Sequence, residues 1–348
     1  MTQYKRTLLI RVDSNIEIAS GHLMRCLSIA AEAKSNGMRC VFLMSDNKNQ
    51  EYVECQGFEY INLDTDWRDL TQELPKIDSL IKQYINPILL IDTYSITSSY
   101  TSHLYGKIPL VYLGSKTDDI GPLNAIINYS SKINTSFYNT HYPDALLLLG
   151  VEYAPLKKEF QNISPEYKLS VTDILITTGN TDKLHFVSNL LQNIKERITK
   201  RDLKFHVVVG RLFDNLEELR NIADGDTNII LHFNVSNMRE LMQCCQICVS
   251  ANGTTIYELA ACGIPTVSFA LAKEQIESGE SLGTKGIVNY CGYIGEDWEE
   301  CMKQIIDSTD YLLLNTESRI DLGKKAKTFI DGNGCKYIIQ NLKKLKIK

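Results

Sequence analysis

Short apolar runs rich in β-branched residues alternate with longer amphipathic segments along most of this chain. A short apolar run is typical of a buried strand, and an amphipathic segment of helical period is typical of a helix packed on a core. Parallel strands need crossover connections, which are usually helices, so the alternation favours a parallel sheet with helices on both faces. The sequence therefore predicts an α/β, doubly wound architecture.

In the first half the predicted strands are Thr7–Val12, Cys40–Met44, Ile88–Asp92, Leu110–Leu113 and Ala125–Ile127. The predicted helices there are His22–Asn36, Asn49–Cys55, Ser79–Tyr84 and Ser98–Tyr105. In the second half the predicted strands are Asp173–Thr177, Lys204–Val209, Ile229–Phe233, Ile247–Ser250 and Thr266–Ala270. The helices predicted with them are Leu184–Lys195, Asn215–Ile222, Met238–Cys244, Thr255–Cys262, Trp298–Ser308 and Gly334–Lys346.

The chain has 348 residues, whereas a single hydrophobic core stops growing at about 250–300 residues. Between the two alternating halves lies PLKKEFQNISPEYK, a polar stretch with two prolines, which indicates an interdomain crossing. We predict a first Rossmann-like domain over 1–153, a second over 154–333, and a helix over 334–348 that packs back on the first. Two such domains facing one another are expected to form a ligand cleft lined by the carboxyl edges of their sheets.

Composition excludes several classes of protein. Lys plus Arg is 37 and Asp plus Glu is 42, a net charge of −5 with the charges scattered, so a nucleic-acid partner is not expected. The amino terminus lacks the apolar core of a secretory signal, and no apolar run reaches membrane-spanning length. We expect a cytoplasmic protein without stable membrane insertion, with its ten cysteines reduced. The sequence carries no signal for an oligomeric state.

The segment Leu8–Ala30 places a histidine directly after a strand, a polar turn and a glycine. A helix that starts at Gly21-His22 offers partial positive charge to an anion and favours a neutral imidazole, which can act as a base. The alternative is a histidine that caps or packs the helix. Asp13 and Ser14 in the turn either orient the imidazole or bind a sugar hydroxyl, or they satisfy loop backbone groups.

Two other strand ends carry small polar residues. Glycine allows close backbone approach, and threonine hydroxyls with exposed helix N–H groups suit a pyrophosphate, while a carboxylate one turn into the helix can accept bonds from a ribose diol. The alternative is an ordinary capped helix followed by a favourably placed acid. The candidate nucleotide-binding residues are Thr178, Gly179, Asn252, Gly253, Thr254, Thr255 and Glu258.

No metal and no cofactor are expected. Cys245 and Cys248 have the spacing of zinc ligands but lack a suitably spaced second pair. The dinucleotide GxGxxG and P-loop patterns are missing from the sequence.

Four ordered segments carry a resemblance that runs nearly from end to end: RVDSNIEIASGHLMRCLSIA, LLLLGVEYAPLKKEF, ANGTTIYELAACGIPT and DGNGCKYII. With them the chain resembles the UDP-2,4-diacetamido-2,4,6-trideoxy-β-L-altropyranose hydrolases of the pseudaminic acid pathway and the related spore-coat polysaccharide biosynthesis proteins. The resemblance implies a GT-B architecture, similar in plan to the N-acetylglucosaminyltransferase of peptidoglycan lipid synthesis, with the nucleotide held mainly by the second domain.

The resemblance also implies roles for individual residues. His22 matches the family's catalytic histidine, Tyr94 an active-site tyrosine and Glu258 the ribose-binding carboxylate. The chain departs from the family at Thr93, where the pattern has histidine, and at Glu274, where it has asparagine, which puts the identity of the sugar in doubt. The candidate substrate-binding residues are Asp13, Ser14, Gly21, Arg25, Tyr94, Glu274 and Gln275.

The expected reaction is hydrolysis of a UDP-activated deoxyamino sugar to UDP and free sugar, with His22 activating water and inversion at the anomeric carbon. A GT-B glycosyltransferase that passes the sugar to a lipid or polysaccharide is the alternative from another reaction class. A nucleotide-sugar binding module without turnover is a third possibility.

Overall fold

The computed structural model describes residues 4–15, 17–18, 20–198 and 203–346. The chain forms two compact units, the first comprising Met1–Lys158 and Asn333–Lys348, the second Glu159–Gly332. The chain enters the second unit a few residues after the predicted boundary at 153 and returns to the first unit at Asn333.

The first unit is built on a seven-stranded sheet in which every neighbouring pair is parallel, in the order β3-β2-β1-β4-β5-β6-β7. Its strands are β1 (Thr7–Val12), β2 (Arg39–Met44), β3 (Glu59–Asn62), β4 (Pro87–Asp92), β5 (Leu110–Leu113), β6 (Ala125–Asn128) and β7 (Leu146–Leu149). Its helices are α1 (Gly21–Ser35), α2 (Gln50–Cys55), α3 (Leu74–Gln83), α4 (Ser98–Leu104), α5 (Thr135–His141) and α13 (Gly334–Leu342).

Two apolar layers cover the two faces of this sheet. Alternate residues of a strand point to opposite faces, so Leu8 and Ile10 of β1 join the buried cluster that contains α1 and α13, whereas Leu9 joins the cluster that contains α3 and α4. The carboxyl-terminal helix α13 thus completes the core of the first unit by packing against α1.

The second unit is built on a six-stranded parallel sheet in the order β10-β9-β8-β11-β12-β13. Its strands are β8 (Asp173–Thr177), β9 (Lys204–Val209), β10 (Ile229–Phe233), β11 (Ile247–Ala251), β12 (Thr266–Ala270) and β13 (Asn289–Tyr293). Its helices are α6 (Phe186–Ile198), α7 (Leu216–Asp224), α8 (Met238–Cys244), α9 (Thr255–Cys262), α10 (Ile276–Thr284), α11 (Trp298–Leu314) and α12 (Thr316–Phe329). Short 3₁₀ segments lie at Leu70–Glu73, Val151–Tyr153, Lys158–Phe160, Lys183–His185 and Lys273–Gln275.

The predicted α/β architecture is confirmed, and the predicted strands match observed ones. The predictions missed β3 and β13, which are edge strands with partly exposed, polar sequences, as well as β7, α5, α10 and α12. Helix α3 begins at Leu74 rather than at Ser79, with a proline in its first turn, a position that tolerates proline because the N–H there is unpaired. The cysteines are all free thiols.

Each sheet reverses its strand order at one place, and ligands of open α/β sheets bind outside the carboxyl ends of the strands at such a place. In the first sheet the reversal lies between β1 and β4, and in the second between β8 and β11. These two strand pairs fix where the candidate residues of each unit lie.

Candidate functional site

His22 lies in the first turn of α1, directly after the β1 exit, and its side chain is only 9% exposed. The β1–β4 register sets Val12 opposite Asp92, the last residue of β4. This register brings the two side chains together, and His22 Nδ1 lies 2.5 Å from Asp92 Oδ1. The reversal point of the first sheet therefore holds a histidine–carboxylate pair.

The short contact decides which nitrogen of His22 carries the proton. A carboxylate oxygen accepts hydrogen bonds, so Nδ1 donates to it, and Arg25 Nη2, although 3.1 Å from the same Nδ1, donates to Asp92 Oδ1; the neutral ring then leaves Nε2 as the proton acceptor. The sequence placed this imidazole at the amino terminus of α1, and the structure adds Asp92 as a group that orients the ring.

Asp92 is buried and collects donors on both oxygens. Arg25 Nε lies 2.6 Å from Oδ2 and a second guanidinium nitrogen bonds Oδ1, while Cys26 Sγ lies 3.3 Å from Oδ2. Burial on its own raises the pKa of Asp92, but the hydrogen bonds from Arg25 and His22 outweigh it and lower the pKa below its usual value. The carboxylate is therefore ionised and held in one orientation.

Arg25, predicted to contact substrate, is committed to groups of the protein itself. Besides Asp92 it donates from Nη1 to the Tyr129 hydroxyl at 2.9 Å, and its guanidinium lies over the Tyr129 ring. Burial lowers the pKa of Arg25, but the hydrogen bond to Asp92 outweighs it and raises the pKa above its usual value. In this arrangement Arg25 holds Asp92, and a direct substrate contact stays a prediction.

Tyr94 follows β4 and is 59% exposed. Its ring meets the His22 ring edge to face, with centroids 4.7 Å apart. An exposed aromatic ring beside the imidazole can pack on the apolar face of a sugar while its hydroxyl remains available for a hydrogen bond. Thr93, which stands at the family's histidine position, is buried and accepts a bond from the Ser95 amide.

Asp13 satisfies a backbone amide after β2, one of the alternatives open from the sequence, and also bonds Arg11 of its own strand β1. Its Oδ1 accepts from the Ser45 amide at 2.9 Å and from the Ser45 hydroxyl at 2.8 Å, and its Oδ2 bonds Arg11. Asp92 orients the ring instead. Ser14 accepts from Asn49 Nδ2 through its carbonyl oxygen, and Gly21 begins α1 with open space around its Cα.

The second unit contains a cavity of about 430 Å³ at the carboxyl edge of its sheet. It is lined by the exits of β8, β9 and β10 and by the first turns of α8 and α9. Arg211 contributes a positive charge, and Thr255 and Glu258, one helical turn apart, lie on the same face of α9. The predicted residue Gly179 also lines this cavity.

The β8 and β11 exits leave polar atoms available for a ligand. Thr178 and Asn252 are 8% and 4% exposed, yet the Thr178 hydroxyl and Asn252 Oδ1 have no hydrogen-bond partner. Helix α9 begins just beyond, at Thr255, without a side-chain cap from Thr254. The N–H groups that start a helix attract anions, but in α9 the Ile256 and Tyr257 amides already donate to the Gly253 and Thr254 carbonyls at 3.2 and 3.1 Å. The Thr178 hydroxyl can donate to a phosphate oxygen, whereas Asn252 Oδ1 accepts and needs a hydroxyl or amide donor from the ligand.

Glycines let two loops of this cavity approach closely. Gly179 has φ +84°, which other residues rarely adopt. A Cβ on Gly210 would lie 2.3 Å from the Gly179 carbonyl oxygen. Gly253 precedes the start of α9, with open space where its Cβ would be.

Glu274 and Gln275 form part of a 3₁₀ turn after β12. Asn252 Nδ2 donates to the Gln275 carbonyl at 2.9 Å, and Gln275 Oε1 accepts from the Leu271 amide at 2.8 Å. Glu274 is exposed. The hydrogen bond from Asn252 thus brings this turn to the α9 start, where the predicted phosphate-binding residues lie.

Sequence reasoning missed Asp92 and Tyr129 as members of the first site. The available signal for Asp92 was an acidic residue at the end of an apolar strand, but its partner depended on the strand order.

Among the described residues, no group of three or more His, Cys, Asp or Glu could hold a metal ion. Within the same residues, no helix combines the length and apolarity needed to cross a bilayer.

Comparison with known proteins bears on the fold of the chain. Residues 172–308 match the profile of the family described as glycosyl transferases group 1. An uncharacterized protein of Methanocaldococcus jannaschii is 23% identical over 274 residues, which cover 75% of this chain. The chain spans about half (54%) of the length of that relative.

Solved structures resemble the whole described fold. MurG of Acinetobacter baumannii has a TM-score of 0.65 at 13% identity, covering 98% of this chain and 100% of its own. UDP-GlcNAc 2-epimerase of Neisseria meningitidis, bound to UDP-GlcNAc, has a TM-score of 0.65 at 14% identity, covering 98% of this chain and 100% of its own. Anabaena HepE in complex with UDP-glucose has a TM-score of 0.59 at 13% identity, covering 97% of this chain and 100% of its own. The chain therefore has the GT-B fold, with two Rossmann-like domains on parallel sheets.

Proposed function

We propose that this chain is a nucleotide-sugar hydrolase that cleaves the bond between the anomeric carbon and the diphosphate of a UDP-activated deoxyamino sugar. The observation that carries the proposal is the buried His22–Asp92 pair, because an imidazole fixed through Nδ1 has Nε2 available to take a proton from water. The resemblance supplies the substrate class, UDP-2,4-diacetamido-2,4,6-trideoxy-β-L-altropyranose or a related sugar of surface glycan or nonulosonic acid synthesis.

In the proposed reaction His22 Nε2 removes a proton from water as its oxygen bonds the anomeric carbon. The bond from that carbon to the phosphate oxygen breaks, its electron pair leaves with UDP, and the configuration inverts. Asp92 stabilises the imidazolium that forms, and Arg25 holds Asp92 in place. Tyr94, packed edge to face on His22, contacts the sugar.

The second unit would retain the nucleotide. We assign the diphosphate to the Asn252–Thr255 loop and the start of α9, where N–H groups stabilise the charge that develops on the leaving group. Glu258, one turn further, accepts bonds from the ribose diol. Glu274 and Gln275 read sugar substituents from the turn that Asn252 holds.

A second function is favoured by one observation, the match of residues 172–308 to glycosyl transferases group 1. In that case the same UDP site would serve transfer of the sugar to a lipid or polysaccharide hydroxyl. His22 would then deprotonate the acceptor instead of water.

The deciding experiment incubates the protein with the UDP-sugar alone in water labelled with the heavy oxygen isotope. A hydrolase releases UDP and free sugar in equal amounts and places the label on the anomeric hydroxyl. Label in UDP would contradict attack at carbon. A transferase releases sugar only when acceptor is added, and a binding module binds UDP without turnover, so either result would replace the proposal.

A further inference from the structure

A cluster of positive side chains lies at the opposite edge of the first sheet from His22. Lys5 and Arg6 precede β1, and Lys343, Lys344 and Lys346 follow α13. With Pro87, which starts β4, and Pro109, which precedes β5, they line an open cavity of about 970 Å³. We call this the amino-edge surface.

The charge of the amino-edge surface is the reverse of that of the chain. The five positive residues face no carboxylate among the residues that line the cavity, although the whole protein carries a net charge of −5. Lys5, Lys343, Lys344 and Lys346 are exposed. Positive charge is therefore concentrated at one edge of an acidic protein, a pattern that attracts an extended anionic partner.

Hydrogen bonds hold the backbone of the lysine-bearing segment after α13 in place. Arg6 donates to the Leu342 carbonyl at 3.2 Å, to the Lys343 carbonyl at 2.7 Å and to the Leu345 carbonyl, and Lys343 Nζ donates to Asn36 Oδ1 at 2.9 Å. Compensation of the α13 dipole accounts for lysines just beyond the end of that helix. It does not account for Lys5, which comes from the other end of the chain.

Apolar and amphipathic groups accompany the charges. Tyr4 is 37% exposed and lines the same cavity, with Leu345 half-buried beside it. Tyrosine favours the headgroup layer of a membrane, and lysine can lay its aliphatic stem on an apolar surface while its ammonium meets phosphate. A surface of tyrosine, leucine and lysine suits a lipid headgroup layer better than a free nucleotide.

We propose that the amino-edge surface docks the protein reversibly on an anionic lipid bilayer. The six residues of β1, at about 3.3 Å each, separate this edge from the His22 edge by about 20 Å. Docking there leaves the carboxyl edge of the first sheet clear of the lipid. This inference does not rest on the proposed reaction.

The size of the effect follows from the charges. Each lysine near an anionic surface strengthens binding about five-fold, corresponding to about 1 kcal/mol, so reversing three of them weakens it by about 100-fold or more. Salt screens such attraction over about 10 Å at 0.1 M, so binding falls as ionic strength rises.

The test is co-sedimentation of the full chain with vesicles of phosphatidylglycerol and phosphatidylcholine, against vesicles of phosphatidylcholine alone. The variant reverses Lys5→Glu, Lys344→Glu and Lys346→Glu, and the matched control reverses Lys303→Glu, Lys324→Glu and Lys325→Glu, exposed lysines of the second unit. Both variants change the net charge equally. Circular dichroism and thermal unfolding check that each variant is folded like the wild type.

The proposal expects the wild type and the control to bind only the anionic vesicles and the amino-edge variant to lose that binding. It is overturned if the wild type does not sediment, if it binds phosphatidylcholine equally, or if both triple variants lose binding alike. Retention on single-stranded RNA without binding to vesicles would also overturn it, in favour of a nucleic-acid partner.

Discussion

The two reversal points of this molecule differ in how their polar groups are satisfied. In the first unit Asp92 accepts bonds from His22, Arg25 and Cys26, so the charged groups there are paired within the protein. In the second unit the Thr178 hydroxyl and Asn252 Oδ1 are buried without a partner. The charged groups around Asp92 bond one another, whereas the second site has buried polar atoms left to bond.

This difference predicts that the two sites contribute to different steps, turnover and ligand binding. A buried polar group without a partner destabilises the folded protein by about 1–3 kcal/mol, and a ligand that supplies the missing bond recovers that energy as affinity. A histidine fixed by a buried carboxylate instead keeps one geometry whether or not a ligand is present. We therefore expect changes in the first site to alter turnover and changes in the second to alter nucleotide affinity.

The largest expected effect is that of His22→Asn. Loss of the proton acceptor is expected to lower kcat by about 10²–10⁴-fold, while UDP affinity stays the same because the proposed nucleotide-binding residues lie in the other unit. Steady-state hydrolysis and calorimetric UDP titration measure the two quantities. His103→Asn is the matched control, since His103 Nε2 contacts Asp78 Oδ2 at 2.7 Å on the surface. Wild-type turnover in the His22 variant would remove this residue from the mechanism.

Asp92→Asn is expected to lower kcat by about 10²-fold, because a neutral amide neither fixes the Nδ1–H tautomer nor stabilises the imidazolium. The substrate KM stays near the wild-type value. Asp78→Asn, in the exposed pair, leaves both constants unchanged. Equal losses in UDP affinity and kcat for Asp92→Asn would break the division of work between the two units.

The same carboxylate gives a pH-dependent stability. Because hydrogen bonds from Arg25 and His22 hold the pKa of Asp92 below 3.8 despite burial, its ionised form stabilises the fold above that pH. The contribution disappears as pH falls through the lowered pKa. Denaturant unfolding of wild type and Asp92→Asn should differ most near neutral pH and converge in acid. A constant difference would show that Asp92 acts on stability without its charge.

Local pattern predicted the parts of each site that follow one strand. His22 after β1 and Asn252 after β11 were recognised because a strand, a glycine and a helix start are consecutive in sequence. The partner of His22, Asp92, was not recognised from the sequence. The two residues meet only because β4 lies next to β1, and no short segment encodes that strand order. The edge strands β3 and β13 were missed for a related reason, since half-buried strands lack continuous apolar runs.

A smaller effect is expected from Gly210→Ala. The added Cβ would meet the Gly179 carbonyl oxygen at 2.3 Å, so the β8 and β9 loops must move apart and the cavity changes shape. UDP affinity should fall about ten-fold, equivalent to about 1.4 kcal/mol, with kcat at saturation retained. Gly225→Ala is the control, because its nearest neighbour would lie 3.6 Å away. Unchanged affinity for Gly210→Ala would place the nucleotide elsewhere.

The smallest effect concerns Glu274, which is exposed in the turn that Asn252 holds through the Gln275 carbonyl. A carboxylate accepts hydrogen bonds but cannot donate them, whereas the asparagine found in the resembling family does both. Glu274→Asn should therefore shift kcat/KM by about three- to ten-fold toward sugars that need a donor from the protein, a difference of about 1 kcal/mol expected of one exposed hydrogen bond. The shift is measured as the ratio of kcat/KM for two UDP-sugars, one with acetamido and one with hydroxyl substituents. Glu280→Asn, on the exposed face of α10, is the control. An unchanged ratio would leave sugar recognition to the first unit, with Tyr94 beside His22, and would confine the second unit to the nucleotide.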